Sequence, residues 1–108
     1  DAKSKSWVVF GYKASDNVLL FKAESAITIT QLSCITGGTD NVTVDIQECN
    51  SSGASCASGG ISVTATSVGA SDTSFTDAAV DSDDWVKMTL SVLQGTATNL
   101  SCTLRYTK

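Results

Sequence analysis

The sequence predicts an all-β domain, an antiparallel β-sandwich of jelly-roll-like form with about eight short strands and two disulfides. Three observations predict it. Apolar and polar residues alternate at period two, and no 3.6-residue stripe of useful length occurs. Ser (16) and Thr (14) together make 30 of the 108 residues, whereas Glu is 2, Met 1 and Arg 1, so strand formers outweigh helix formers. Turn residues punctuate the chain at regular intervals. A chain of this length supports one core, burying roughly 65% of the surface its unfolded form exposes, and residues 1–108 read as a single domain.

The strands expected in order are 6–13, 18–24, 26–35, 41–49, 60–67, 73–76, 84–93 and 98–107. The first contains the apolar run Trp7-Val8-Val9-Phe10. Such a run suits a strand buried on both faces, or an arm added to a neighbour's open edge. The fourth alternates Val42, Val44 and Ile46 against Thr43, Asp45 and Gln47. The run 84–93 alternates most cleanly, with Val86, Met88, Leu90 and Val92 on one face and Trp85 and Lys87 on the other. Loops fall at 14–17, 36–40, 49–56, 68–72 and 94–97, each rich in Gly, Ser, Asn or Asp. The one candidate helix, 77–83, is a turn or two at most.

Cys34, Cys49, Cys56 and Cys102 are even in number in a short Ser/Thr-rich chain, which reads as two disulfides and an oxidising compartment. The spacing lacks the close C-x-x-C pairs of a zinc ribbon. The Cys49 to Cys56 loop is small and polar, short enough to be tied at its base, which leaves Cys34 with Cys102. Cys102 shares a face with Leu100, Leu104 and Tyr106, so that bridge is expected in the core. Cys49 lies on the face of Thr43, Asp45 and Gln47, so its bridge is expected near the surface.

Composition excludes much chemistry. The chain has no His, which removes Ser-His-Asp and Cys-His sites and His-ligated metals. The net charge of −4 argues against nucleic-acid binding. No apolar run reaches the ~20 residues of a bilayer-spanning helix, so no direct membrane insertion is expected. Asp77, Asp81, Asp83 and Asp84 offer hard oxygen ligands but lack the order of an EF-hand loop, and they read as a solvated turn. No enzyme, metal or cofactor is expected. The charge map is asymmetric: Lys3, Lys5, Lys13 and Lys22 precede a block of nine carboxylates from Glu24 to Asp84, and Lys87, Arg105 and Lys108 follow it. If the first and last strands lie side by side, the molecule is electrically bipolar and one copy's basic end complements another's acidic end. Lys3, Lys5, Trp7, Val8, Val9 and Phe10 are the candidate assembly interface. Trp7 and Trp85 leave open a sugar-stacking surface, and with it a carbohydrate-binding module. The chain starts at Asp1 without Met, which reads as a mature end after signal-peptide removal and a secreted, cell-surface location.

The runs Thr28 to Cys34, Gly37 to Thr39, Val42 to Cys49 and Ser52 to Cys56, with Asp84 to Leu90, Gly95-Thr96 and Leu100 to Leu104, resemble small β-sandwich domains of bacterial surface filaments and of phage tail or virion proteins. Among filaments the resemblance is greatest to the separately exported globular chain of Geobacter-type split pilins, and it covers roughly residues 25 to 107. It implies a non-enzymatic structural subunit of an extracellular filament that self-assembles or docks on a short hydrophobic helical pilin partner. The alternative it implies is a phage tail or capsid-decoration domain. The chain departs from ordinary type IV pilins in having no N-terminal apolar helix.

Overall fold

The structure is a computed structural model that describes residues 2–13, 15–38, 41–94 and 99–108, with residues 92–94 described by their backbone alone. It contains nine strands: β1 Ala2–Phe10, β2 Asn17–Lys22, β3 Ile27–Gly37, β4 Asn41–Cys49, β5 Ala57–Ala65, β6 Ala70–Asp72, β7 Ala79–Val80, β8 Trp85–Gln94 and β9 Asn99–Thr107. They form two antiparallel sheets. One runs β1-β9-β3-β6, with the two-residue β7 also paired to β3; the other runs β2-β8-β4-β5. If β7 is set aside, the first strand pairs with the last, the second with the next to last, and so inward to β4 with β5. That nesting is a long hairpin rolled into two layers, the jelly-roll order.

Alternation decides which side chains fill the space between the sheets. Ile29, Leu32, Cys34, Leu100, Cys102 and Leu104 from one sheet meet Val42, Val44, Ile46, Val86, Met88 and Leu90 from the other. The expected core face of β8 is thus observed for Val86, Met88 and Leu90, while the side chain of Val92 lies outside the described residues. Both disulfides have the expected partners. Cys34 and Cys102 are direct register partners across β3 and β9, with Cα atoms 4.2 Å apart, so the bridge staples two neighbours of one sheet from its inner side.

Three local expectations are corrected. The first strand begins at Ala2 and ends at Phe10, because Gly11 takes φ 59° and turns the chain out of the ladder. That turn also reverses parity: Tyr12, which alternation would place with exposed Phe10, is 1% exposed in the core. The strand expected at 73–76 is displaced to Ala70–Asp72, where Leu32, Ser33 and Cys34 pair with Asp72, Ser71 and Ala70. The 77–83 segment forms no helix: Ala79–Val80 is a strand paired to Ile27 and Thr28, and Asp83 at φ 71° completes the turn into β8. Among the described residues, no helix is long and apolar enough to cross a membrane.

Candidate assembly surface

β1 is the chain's own strand, paired with β9 along all nine residues from Ala2↔Thr107 to Phe10↔Asn99, and it forms one edge of its sheet. It is not buried on both faces as the apolar run suggests. Lys3, Lys5, Trp7 and Val9 form its inward row, opposite Tyr106, Leu104, Cys102 and Leu100 of the core face. Trp7 is half-buried, and its Nε1–H donates to Met88 Sδ at 3.2 Å across the sandwich. Val9 packs on the core beside it. Val8 and Phe10 point the other way and are 51% and 73% exposed.

The outward row continues across the sheet. Val8 lies opposite Ser101, and Ser101 lies opposite Ile35, which is itself exposed. Ile35 is neighboured by the Val68-Gly69 turn, where Val68 is 88% exposed. Phe10, Val8, Ile35 and Val68 therefore make an apolar strip on the outer face, and beside it a shallow groove runs over Ser33, Ser71, Ser101 and Thr103. Below the strip the face is a hydroxyl ladder, with Ser6 Oγ to Thr103 Oγ1 at 2.9 Å and Ser33 Oγ to Ser71 Oγ at 2.8 Å. Sequence reading found Trp7 to Phe10 but missed Ile35 and Val68. Ile35 was legible as an odd position in a strand whose even positions, Leu32 and Cys34, face the core.

The inward lysines sit where β1 and β2 leave the sandwich open at one end. Lys3, Lys5, Lys22 and Lys108 line a recess of about 270 Å³ with Phe21 and Glu24. Lys5 Nζ lies 5.7 Å from the Phe21 ring centre, a cation–π contact, and Phe21 stacks on Tyr106 at 5.9 Å. The first and last strands are thus adjacent, and four of the seven basic side chains converge here, while Lys13, Lys87 and Arg105 do not line the recess.

The carboxylates gather next to them at the same end. Glu48 from the end of β4 meets Asp81 and Asp84, their carboxylate oxygens within 4.8 Å of one another. Asp81 N–H donates to Glu48 Oε2 at 2.8 Å. Burial pushes the Glu48 carboxyl above its ordinary range; the Asp81 N–H opposes this, while the hydrogen bond that the protonated Glu48 carboxyl donates to Asp84 and the charges of Asp81 and Asp84 add to it. The sequence run 77–84 supplies two of the three; Asp77 instead accepts Ala79 N–H, and Asp83 is exposed in the turn. Glu48 was not legible from that run because it arrives from another strand.

Cys49 is corrected from surface to buried at 1% exposure. Its parity was right: it stands outside the core cluster, on the outer face of its sheet. The cover comes from its own loop and from Trp85, its register partner, whose Nε1–H donates to Ser51 O at 3.2 Å. Trp85 therefore lies half-buried on the outer face of one sheet, while Trp7 points inward from the other, so the two do not share a sugar-stacking face.

No protein-family model matches the chain, and no curated protein matches it. Among solved structures, a chain from the structure of infectious bursal disease virus, Gt strain, aligns with 98% of this chain at 8% identity and a TM-score of 0.50. A chain from the Gx strain aligns with 96% at 9% identity and a TM-score of 0.42. This chain spans 31% and 32% of the length of those two chains. The likeness to the Gt-strain chain is one of fold, an all-β sandwich.

Proposed function

We propose that this domain is a non-enzymatic structural subunit of an extracellular assembly, docking through the outer face of the β1-β9-β3 sheet. The observation that carries the reading is the strip of Phe10, Val8, Ile35 and Val68, four of the six large apolar side chains exposed among the described residues. Large apolar side chains gathered along one row of a sheet face, interrupted only by Ser101 and flanked by Ser and Thr, mark a contact site. Two disulfides suit an oxidising setting outside the cell.

Two forms of assembly fit this role. In a surface filament the strip seats on a short hydrophobic helical chain, as the resemblance to split pilins implies. In a virion it seats on a neighbouring subunit. The jelly-roll order and the fold likeness to a chain of a virus structure favour the virion form, since this architecture recurs in capsid domains, although fold alone does not assign function. Replacing Val8→Ser and Phe10→Ser tests the reading, because both side chains are exposed and leave the core intact. Electron microscopy of native particles should show the variant lost from them. A variant incorporated at the wild-type level would refute the docking face.

A further inference from the structure

The basic recess and the acidic cluster are neighbours at one end of the sandwich. The Asp83–Asp84 turn is held against Ala23, which lines the recess: Asp83 N–H donates to Ala23 O at 2.6 Å and Ala23 N–H to Asp84 O at 2.9 Å. On the β1 and β2 side of that junction stand Lys3, Lys5, Lys22 and Lys108, four cations against the one carboxylate of Glu24 in the lining. On the β4 and β7 side stand Glu48, Asp81 and Asp84. Lys22, Lys108, Asp81 and Asp83 are all exposed, and among the described residues neither the Lys22 nor the Lys108 ammonium has an ion-pair partner. One end face is thus basic on one half and acidic on the other.

A two-fold axis lying in that end face and running along the sandwich thickness swaps the halves. It brings the lysine recess of each copy onto the acidic turn of the other, so a single approach makes two equivalent complementary contacts. We infer that the end face pairs two copies of this chain, the recess of Lys3, Lys5, Lys22 and Lys108 receiving the partner copy's acidic turn around Asp81 and Asp84. The chain's net charge of −4 opposes approach at long range. Over a molecule 37 Å long that repulsion is screened at 0.1 M salt, where the Debye length is ~10 Å, while contacts inside that distance persist. The pairing deepens the reading of the chain as an assembly subunit and rests on it. It uses the sandwich end and leaves the apolar outer face free for a different neighbour.

Sedimentation of the purified chain tests it. Dimers are expected at about 0.1 M salt, dissociating at least tenfold more readily near 1 M. Lys22→Glu with Lys108→Glu, and separately Asp81→Lys with Ser82→Lys, should each sediment as monomer; Asp83 is left in place because its φ of 71° disfavours Lys. An equimolar mixture of the two variants should regain the dimer, since both contacts become complementary again. A mixture that stays monomeric, variants that dimerise like the parent, or dimers indifferent to salt would each overturn the pairing. So would a parent chain that is monomeric at 0.1 M salt up to millimolar concentration, or one that forms open polymers. Subunit loss on Val8→Ser/Phe10→Ser, read by microscopy, reports on the outer face alone, so the two ideas fail separately.

Discussion

Removing the Cys34–Cys102 bridge by paired substitution to Ala should destabilise the fold more than removing Cys49–Cys56. The two bridges close segments of very different length, with sequence separations of 68 and 7. The chain-entropy relation gives roughly 4.4 kcal/mol for the longer and roughly 2.4 kcal/mol for the shorter at 25 °C. The short loop is nested inside the long one, and cutting the long loop by its few residues alters the first figure by only about 0.1 kcal/mol. Truncating buried sulfur adds to the same ranking, since Cys34 and Cys102 are both at most 3% exposed, whereas in the short bridge Cys49 is buried and Cys56 only half-buried. A domain this size has roughly 5–15 kcal/mol of stability in total, so loss of the long bridge alone removes a large part of it. At about 4–8 °C per kcal/mol the melting temperature should fall by roughly 18–35 °C, against roughly half that for the short bridge. Urea unfolding of the two double variants measures the difference directly. Equal losses, or a larger loss from Cys49→Ala/Cys56→Ala, would show that native-state cover of the short loop by Trp85 outweighs loop closure, and would refute the reasoning.

Two further outcomes follow from local geometry. Gly59→Ala should cost about 1–3 kcal/mol, because the new Cβ meets the Asp77 carbonyl oxygen and would push apart the segment whose Thr76 and Asp77 N–H groups bond Gly59 O at 3.0 and 2.9 Å; Gly11→Ala meets no atom within 4 Å and should cost only the ~1 kcal/mol of its positive φ, so equal midpoints in urea would contradict the clash. Glu48 is raised above its unfolded value in the folded chain, so its contribution is fully present at low pH and is lost as pH rises through the folded value. Glu48→Gln keeps an acceptor for Asp81 N–H and should raise the melting temperature near pH 7 but leave it unchanged near pH 3; an unchanged melting temperature at both would show that the carboxylates are relieved by solvent.

Sandwich class, most strand positions and disulfide partners were legible because each rests on period-two alternation or on short loops, signals that tertiary packing preserves. The parity of β1 was not, since Trp7-Val8-Val9-Phe10 has no alternation of its own. Extending the count back to Lys3 and Lys5 would have set it: two lysines on the row of Trp7 and Val9 mark the open side of a sandwich. The misplaced helix at 77–83 had no comparable signal. Its outcome depends on β3 offering Ile27 and Thr28 as partners to Ala79–Val80, a long-range pairing that outweighs a weak local preference. Burial of Cys49 depended on Trp85, 36 positions away in the chain, folding over it.

The two sides of the sandwich handle their exposed edges differently, and this bears on how the chain can assemble. On the β5 and β6 side the edge is closed from within: Asp72 accepts Ser62 N–H at 3.4 Å, and the Thr76 and Asp77 N–H groups bond Gly59 O. On the opposite side β2 carries a register shift between Leu19 and Phe21 that bends its ladder, and β1 carries Lys3 and Lys5 on its inward row. Bulges and inward lysines disfavour the addition of another strand. Edge-to-edge polymerisation through the backbone is therefore disfavoured on both sides, and association is left to side chains. β1 divides accordingly, its lysine-bearing half facing the charged end and its Val8–Phe10 half carrying the apolar strip, so one strand serves two contacts of different chemistry. Apolar burial at roughly 25 cal/mol per Å² supplies affinity at the second, before the cost of association, while the charges at the first set orientation and salt sensitivity.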